Sequence, residues 1–379
     1  MSRQRQPEIR GRSRGLLVAR GIRAELDYVA EGFTDQGGAE SRDDSWEDRA
    51  AARLQADLGQ LAGLSDTTVQ MRTYLLVGEG LSSRALRNRF AVSSIEAPSG
   101  LRIFDAWLEK RFPDRGISIR AGRLAADDEF MISRTAANFV NGTFGWPAIA
   151  ALDLAEGGPA YPSARPGMRA RYSPQPDRAL LVGTFEVPGH RLLTLAEEQI
   201  SGPGGEVAAD TVLKLGAWLQ TKRFPRSEGS NGMAAEGGVS SFGLYGVLDR
   251  NLWHSADGAK TIAAFTRAVV APQSDNPFRA YIDAGLGVTG LLPSRRSDFL
   301  GIAAAYGRAM GSLPTDGDTL NTAPEAHEFA VEISYAASLS PWCVLQPDVQ
   351  YLHYTMPGIG PAAIRSTVVL GIRASLRIW

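Results

Sequence analysis

The sequence predicts an all-β fold, a transmembrane antiparallel β-barrel of about sixteen strands. Three observations carry that prediction. Apolar and polar residues alternate with period two over nearly the whole chain. The alternating segments run about 9–12 residues, the length that crosses a bilayer at a tilt. They also recur without a helical domain between them.

Residues 1–20 are polar and basic, with Arg3, Arg5, Arg10, Arg12, Arg14 and Arg20. They read as a short N-terminal periplasmic segment, helical or disordered, ahead of a barrel over residues 21–379. They hold no apolar stretch of signal-peptide type, so a secretory signal is absent from the chain as given.

The first strand sets Ile22, Ala24, Leu26, Tyr28 and Ala30 against Arg23, Glu25, Asp27 and Glu31. The second sets Trp46, Ala50, Ala52, Leu54, Ala56 and Leu58 against Glu47, Arg49, Arg53, Gln55 and Asp57. Its Ala, Arg, Leu and Gln also suit a helix, but a helical wheel scatters its charges among the alanines less cleanly. Val69, Met71, Leu75 and Val77 then oppose Gln70, Arg72 and Tyr74. Toward the end, Phe329, Val331, Ile333, Tyr335, Ala337 and Leu339 oppose Glu328, Glu332, Ser334 and Ser338. The last strand sets Leu370, Ile372, Ala374, Leu376 and Ile378 against Arg373, Ser375 and Arg377.

Strand centres are expected near residues 27, 52, 72, 106, 120, 169, 183, 195, 215, 245, 265, 282, 303, 334, 348 and 372. The eighth segment, Leu192–Ile200, suits a helix equally well. An even count near sixteen suits a porin-sized barrel with an open lumen. Closure removes the unpaired edges that lipid would not tolerate. A soluble sandwich would also alternate. Aromatics near strand ends favour the barrel, as an interfacial girdle: Phe33, Phe112, Phe224, Trp253, Trp342 and Trp379.

Composition narrows the function. Forty Lys+Arg against 41 Asp+Glu leave a net charge of −1, without the basic excess of a nucleic-acid binder. Cys343 is the one cysteine, which rules out an intrachain disulfide. Its thiol reads as inert, with no His–Asp context. The four scattered histidines make no zinc centre. No apolar run reaches about 18 residues, so helical spans are excluded.

Other motifs weigh little. Gly285-Leu-Gly-Val-Thr-Gly290 fits a dinucleotide fingerprint, but Leu291-Leu-Pro-Ser-Arg-Arg296 follows as a turn, not a helix. Its glycines ease curvature and the turn. Asp127-Asp128-Glu129 reads as a solvated loop, because adjacent strand residues point to opposite faces. Asn141-Gly-Thr143 matches a glycosylation sequon fortuitously. No catalytic geometry and no cofactor site emerges.

Several stretches resemble the carbohydrate-selective porin (OprB) family. They are Phe144-Gly-Trp-Pro147, Gly157-Gly-Pro-Ala-Tyr-Pro162, Leu215-Gly-Ala-Trp218 and Gly285-Leu-Gly-Val-Thr-Gly-Leu-Leu-Pro293. Ser340-Pro-Trp-Cys-Val-Leu-Gln-Pro-Asp-Val-Gln-Tyr351 and Val369-Leu-Gly-Ile-Arg373 continue the match to the end. The resemblance implies a bacterial outer-membrane barrel of sixteen strands that passes glucose and other sugars. It departs at Gly11-Arg-Ser-Arg-Gly15, where the family often has Trp-Gly-Gly, and at the terminal Trp379, where such barrels usually end in Phe.

If the apolar faces meet lipid, the opposite faces line the lumen. The candidate pore lining is then Arg23, Glu25, Asp27, Arg49, Arg53, Asp57, Arg72, Asp105, Trp107, Glu109 and Arg120. Arg169, Arg171, Gln346, Asp348, Gln350, Arg373 and Arg377 extend it. Both charge signs occur, which suits hydroxyl-rich neutral solutes that need donors and acceptors. A ring of one sign would select ions instead. Trp107 and Trp146 offer rings for stacking on a sugar face. Most of these charges are expected to satisfy one another across the wall. Residues 125–165 form a long loop expected to fold inward. Within it, Asn138–Pro147, with Asn138, Asn141 and Trp146 as pore-lining residues, is expected to help form the constriction, with Asp105, Trp107 and Arg120 on the adjacent wall. The implied partners are small carbohydrates, outer-membrane lipid and lipopolysaccharide, with a homotrimer or a monomer left open.

Overall fold

The computed structural model describes residues 21–37, 43–189, 191–202, 210–221, 239–273, 276–309, 326–355 and 364–378. The expectations for residues 1–20, Phe224 and Trp379 lie outside them.

The first eight strands are β1 Ile22–Asp35, β2 Asp44–Asp57, β3 Thr67–Gly78, β4 Gly100–Phe112, β5 Ile117–Leu124, β6 Arg165–Gln175, β7 Arg178–Val187 and β8 Arg191–Ser201. The rest are β9 Thr211–Thr221, β10 Val239–His254, β11 Thr261–Val270, β12 Phe278–Thr289, β13 Phe299–Ala309, β14 Ala326–Ser340, β15 Cys343–Thr355 and β16 Ile364–Arg377. Every expected centre falls inside its strand. Each strand pairs antiparallel with its neighbour in sequence, and β1 pairs with β16 from Asp27↔Arg377 to Asp35↔Val369. The ring is therefore closed, with no free edge. The two ambiguous segments are strands; only Leu58 departs, opening the short helix α1 (Leu58–Ala62). Asp57 caps that helix by accepting from Gly59 N at 2.8 Å, and Gly63 ends it at φ 71°.

The outward face is apolar and uncovered, as lipid demands. Leu54, Met71, Leu180, Leu215, Ile302 and Leu370 are each more than two-fifths exposed. Trp46 marks one rim, and Phe112, Trp253 and Trp342 mark the other. Phe33 does not belong to this girdle. It points inward at 3% exposure, because Leu26 and Tyr28 set the outward phase of β1. One end carries tight connections such as 113–116, 176–177 and 341–342. The opposite end carries the long segments 79–99 and 125–164, and is the extracellular end by the usual rule for such barrels.

Both long segments fold into the barrel. Segment 125–164 contains α2 (Gly142–Gly145) and α3 (Ala148–Asp153). Their buried side chains, among them Leu86, Phe90, Phe130, Phe144 and Ile149, form one cluster with inward-facing Phe185, Leu195, Trp218, Phe265 and Phe299. This explains why β7 is apolar on both faces. Leu180 and Val182 meet lipid, while Leu181 and Phe185 meet the folded-in loops. The lumen is thus divided. A packed core with buried charges set into it fills the side of β7–β16, and charged side chains line most of the side of β1–β6.

Candidate functional site

The charged wall begins with backbone register. Glu25 pairs with Arg53, Arg53 with Arg72, and Arg72 with Asp105, so one row crosses four strands. Adjacent antiparallel strands place such opposed side chains within reach of one another. Arg53 meets Glu25 at 3.2 Å, and Arg49 meets Asp27 at 3.6 Å. Arg72 pairs with Asp105 from two nitrogens, and meets Asp128 at 2.5 Å. Arg23 lies exposed at the short-turn rim, opposite Gln55.

A second row joins Glu109, Arg120 and Arg169 across β4, β5 and β6. Arg120 donates to Glu109 at 3.1 Å and meets Glu129 at 3.5 Å. Arg169 donates to Glu129 at 2.6 Å and to Ser118 Oγ at 2.8 Å. Five guanidinium groups thus meet six carboxylates on this wall. The Arg120 guanidinium covers the Trp107 ring at 3.9 Å, so that ring face stacks on arginine.

Two placements differ from the sequence reading. Asp128 stays solvent-exposed, but it and Glu129 are ion-paired and do not form a free loop. They come down from β5 onto the wall, because Arg72, Arg120 and Arg169 would otherwise lack part of their countercharge. Residues 138–147 are bonded to strands other than those that carry Asp105, Trp107 and Arg120. They are held against the opposite wall. Glu332 accepts the N–H groups of Val140 and Asn141 at 2.8 Å each. Arg267 donates to the carbonyls of Thr143, Phe144 and Gly145. Asn141 is 1% exposed, and its side chain caps α2 through Thr143 N and donates to Gln350 Oε1. Asn138 is exposed and donates to the carbonyls of Arg134 and Thr135.

Between segments 79–99 and 125–164 lies a cleft of about 310 Å³. Ser93, Ser94 and Glu96 form one lip, and Gly142, Thr143 and Trp146 the other, with Asp127 and Tyr161 between them. Trp146 is fixed by its indole N–H on the carbonyl of Gly157 at 3.1 Å. Tyr161 donates its hydroxyl to the carbonyl of Ile95 at 2.7 Å. Asp127 accepts from Tyr161 N at 2.8 Å, while its Oδ1 has no hydrogen-bond partner among the described residues. Burial, together with the neighbouring Asp128 carboxylate, pushes the Asp127 carboxyl up to about 7.

The sequence reading did not single out the carboxylates that seat the loops. Besides Glu332, Glu328 accepts from Arg89 N and Phe90 N at 2.8 and 2.6 Å. Asp249 accepts from Ser133 Oγ and Thr135 N at 2.7 and 3.1 Å. Acidic residues inside strands that are otherwise apolar were the available signal.

The geometry can be set beside known proteins. OprB of Pseudomonas putida, solved at high pH, matches with a TM-score of 0.80 at 18% identity over 97% of each chain. Its low-pH structure gives 0.61 at 16% identity over 98% of each. An anion-selective porin from Comamonas acidovorans gives 0.56 at 9% identity, over 94% of this chain and 100% of that one. QuiX of Acinetobacter baylyi, a relative named as a porin, is 21% identical over 394 residues, covering 90% of this chain and 87% of its own. The structural likenesses establish the shared barrel. The model of one family, the carbohydrate-selective porins, matches residues 41–377. The chain belongs to that family, the OprB porins, and is an outer-membrane β-barrel of the same sixteen-strand plan.

Proposed function

We propose that small neutral carbohydrates such as glucose diffuse down their gradient through this barrel. They enter by the cleft between the two inward segments and continue along the charged wall of β1–β6. The observation that carries this reading is the pairing along that wall, where five guanidinium groups are matched to six carboxylates, interleaved row by row. Interleaved donors and acceptors can replace part of a sugar's hydration shell, which a wall of one sign does less well. Net attraction for either ion is small when each charge has its opposite at ion-pair distance. The volume of the cleft adds a size limit near that of a single sugar ring with a few waters. Arg23, Glu25, Arg49, Arg53, Arg72, Asp105, Glu109 and Arg120 are proposed as the wall the solute follows, with Trp107 behind Arg120. Trp146 is proposed as the ring at the mouth. Binding stays weak, so that transit does not stall. The protein would act as a passive channel in the outer membrane, as a monomer or a homotrimer, beside lipid and lipopolysaccharide.

Liposome swelling with the refolded full chain tests this, comparing glucose, a disaccharide and an amino acid of glucose-like size. Faster swelling in glucose than in the amino acid is the expected result. Equal rates for both solutes would reduce the protein to a general porin.

A further inference from the structure

The two lips of the cleft belong to different loops, yet one buried polar node holds both. Arg373, on β16, pairs with Glu31 on β1 and donates to Ser94 Oγ at 2.6 Å in the first loop. The same nitrogen reaches the carbonyl of Val140 in the second loop at 3.4 Å. Gln350, on β15, repeats the pattern. Its Nε2 donates to the carbonyl of Val92 at 2.8 Å, and its Oε1 accepts from Asn141 Nδ2 at 2.9 Å. Glu332, on β14, takes the N–H groups of Val140 and Asn141. The loops also bond to each other here, through Ser94 N to Val140 O at 2.9 Å and Gly142 N to Ala91 O at 2.8 Å. Glu31, Glu332 and Gln350 are each at most 1% exposed.

Of the residues the node grips, Ser94 itself lines the cleft and the others lie within two positions of its lining. Val92 and Ser94 flank Ser93, and Val140 and Asn141 precede Gly142 and Thr143. A shift at the node therefore reaches both lips with little slack between. Elsewhere the loops have their own anchors, including Asp249 on residues 133–135 and Glu328 on residues 89–90.

We propose that the seam node centred on Arg373 sets the width of the channel mouth, making Arg373 a positioning residue for size selection that touches no solute itself. The inference rests on the reading that solutes pass through the cleft. The donor shared by the two loops gives the direction. Glu31, Glu47, Glu332 and Asp348 are buried beside this one guanidinium at 3% exposure or less. Three of those carboxylates have an oxygen without a hydrogen-bond partner among the described residues: Glu31 Oε2, Glu47 Oε1 and Asp348 Oδ1. Removing the cation takes away the donor shared by Ser94 of the first loop and Val140 of the second, and leaves the strand-borne carboxyls without their countercharge, so the two lips lose a common tie to the wall. The lips should move apart.

The test uses the full chain in planar bilayers. Single-channel conductance is read for the wild type and for Arg373→Met, Arg373→Lys, Glu332→Gln and Asp249→Asn. Exclusion of neutral polyethylene glycols of graded size measures the aperture without reference to sugars. The expected result is a larger size cut-off and a higher conductance in Arg373→Met, moved back toward wild type in Arg373→Lys. Glu332→Gln should shift the cut-off in the same direction by less, and it keeps the test open if Arg373→Met does not refold. Asp249→Asn weakens a loop anchor away from the lips and should leave the cut-off unchanged. An unchanged cut-off in folded Arg373→Met and Glu332→Gln barrels would overturn the proposal, as would an equal shift in Asp249→Asn. If the cut-off shifts while the wild type shows no preference for glucose, the sugar reading fails and the node stands.

Discussion

Arg267 and Asp283 oppose each other across β11 and β12, and their ion pair is the inner anchor of the second loop. Asp283 takes the guanidinium from one side and the Tyr281 hydroxyl at 2.9 Å from another. The remaining guanidinium hydrogens go to the carbonyls of Met131, Thr143, Phe144 and Gly145, at 2.7 to 3.2 Å. Both residues are 1% exposed. Arg267→Met should leave a buried carboxylate without its cation and four carbonyls short of a donor. The expected loss is about 3–5 kcal/mol, the range for breaking a buried pair from one side. Urea unfolding of the refolded barrel measures it. Arg267→Met/Asp283→Asn should recover part of that loss. Equal midpoints for the single and double variants would mean that the carbonyls, not the ion pair, dominate.

Arg120 raises a different question, because its cation lies over Trp107 and between two carboxylates. Arg120→Ala removes one positive charge from a wall of paired charges. The reversal potential across a potassium chloride gradient should move toward potassium. Asp105→Ala/Arg120→Ala removes one charge of each sign, so ion preference should stay near wild type. The ratio of glucose to amino-acid swelling should nonetheless change, since a donor group and an acceptor group have both gone. An unchanged ratio in a correctly folded double variant would count against this stretch of wall as the selective one.

Asp127 makes the mouth sensitive to pH. Its carboxyl is pushed up to about 7 by burial and by Asp128. Below that value the group is neutral, and above it the cleft carries one more negative charge. Anion permeability relative to cation permeability should therefore fall between about pH 6 and pH 8, most steeply near the shifted value. Asp127→Asn keeps the acceptor for Tyr161 N and removes the titration. Reversal potentials measured across that range should be flatter in the variant. A wild-type curve as flat as that of the variant would place the conducting path away from this carboxyl.

The strands were legible because lipid on one face and the lumen on the other impose a period of two wherever the chain crosses. Glu25, Arg53 and Arg72 could be read as lumen residues for the same reason. The seating of the loops was not legible. It depends on contacts such as Glu332 with Val140 and Arg267 with Gly145, which join distant parts of the chain and leave no local pattern. Asp128 and Glu129 looked like a solvated turn because their guanidinium partners lie on three different strands. Phe33 looked like part of a girdle because an inward aromatic and a rim aromatic read alike until the phase of the strand is fixed. Strands apolar on both faces, β7 and β13, were a clue that part of the lumen is filled.

Glycines on that filled side make the last expectation. Gly216 on β9 is paired with Tyr245 on β10, and Gly243 on β10 with Trp218 on β9. A Cβ at Gly216 would fall within the Tyr245 ring, and one at Gly243 within the Trp218 indole. Each ring lies flat against the backbone of its neighbour because no side chain stands there. Tyr245 can then reach Glu197 with its hydroxyl at 2.9 Å, and Trp218 reaches Ser241 Oγ at 3.1 Å. Glu197 in turn accepts from Met131 N at 2.8 Å, so only two side chains stand between the glycine and the loop. Gly216→Val should displace Tyr245, strip Glu197 of one donor and loosen the seat of Met131. The overpacking alone costs about 1–3 kcal/mol, and a buried group losing its partner adds a comparable amount. The unfolding midpoint in urea should drop accordingly. Gly246→Ala on the neighbouring strand β10, where a Cβ finds its nearest neighbour at 3.6 Å, should leave the midpoint nearly unchanged. Equal losses for the two variants would show that glycine matters here for backbone freedom, not for the space its missing side chain leaves to the rings.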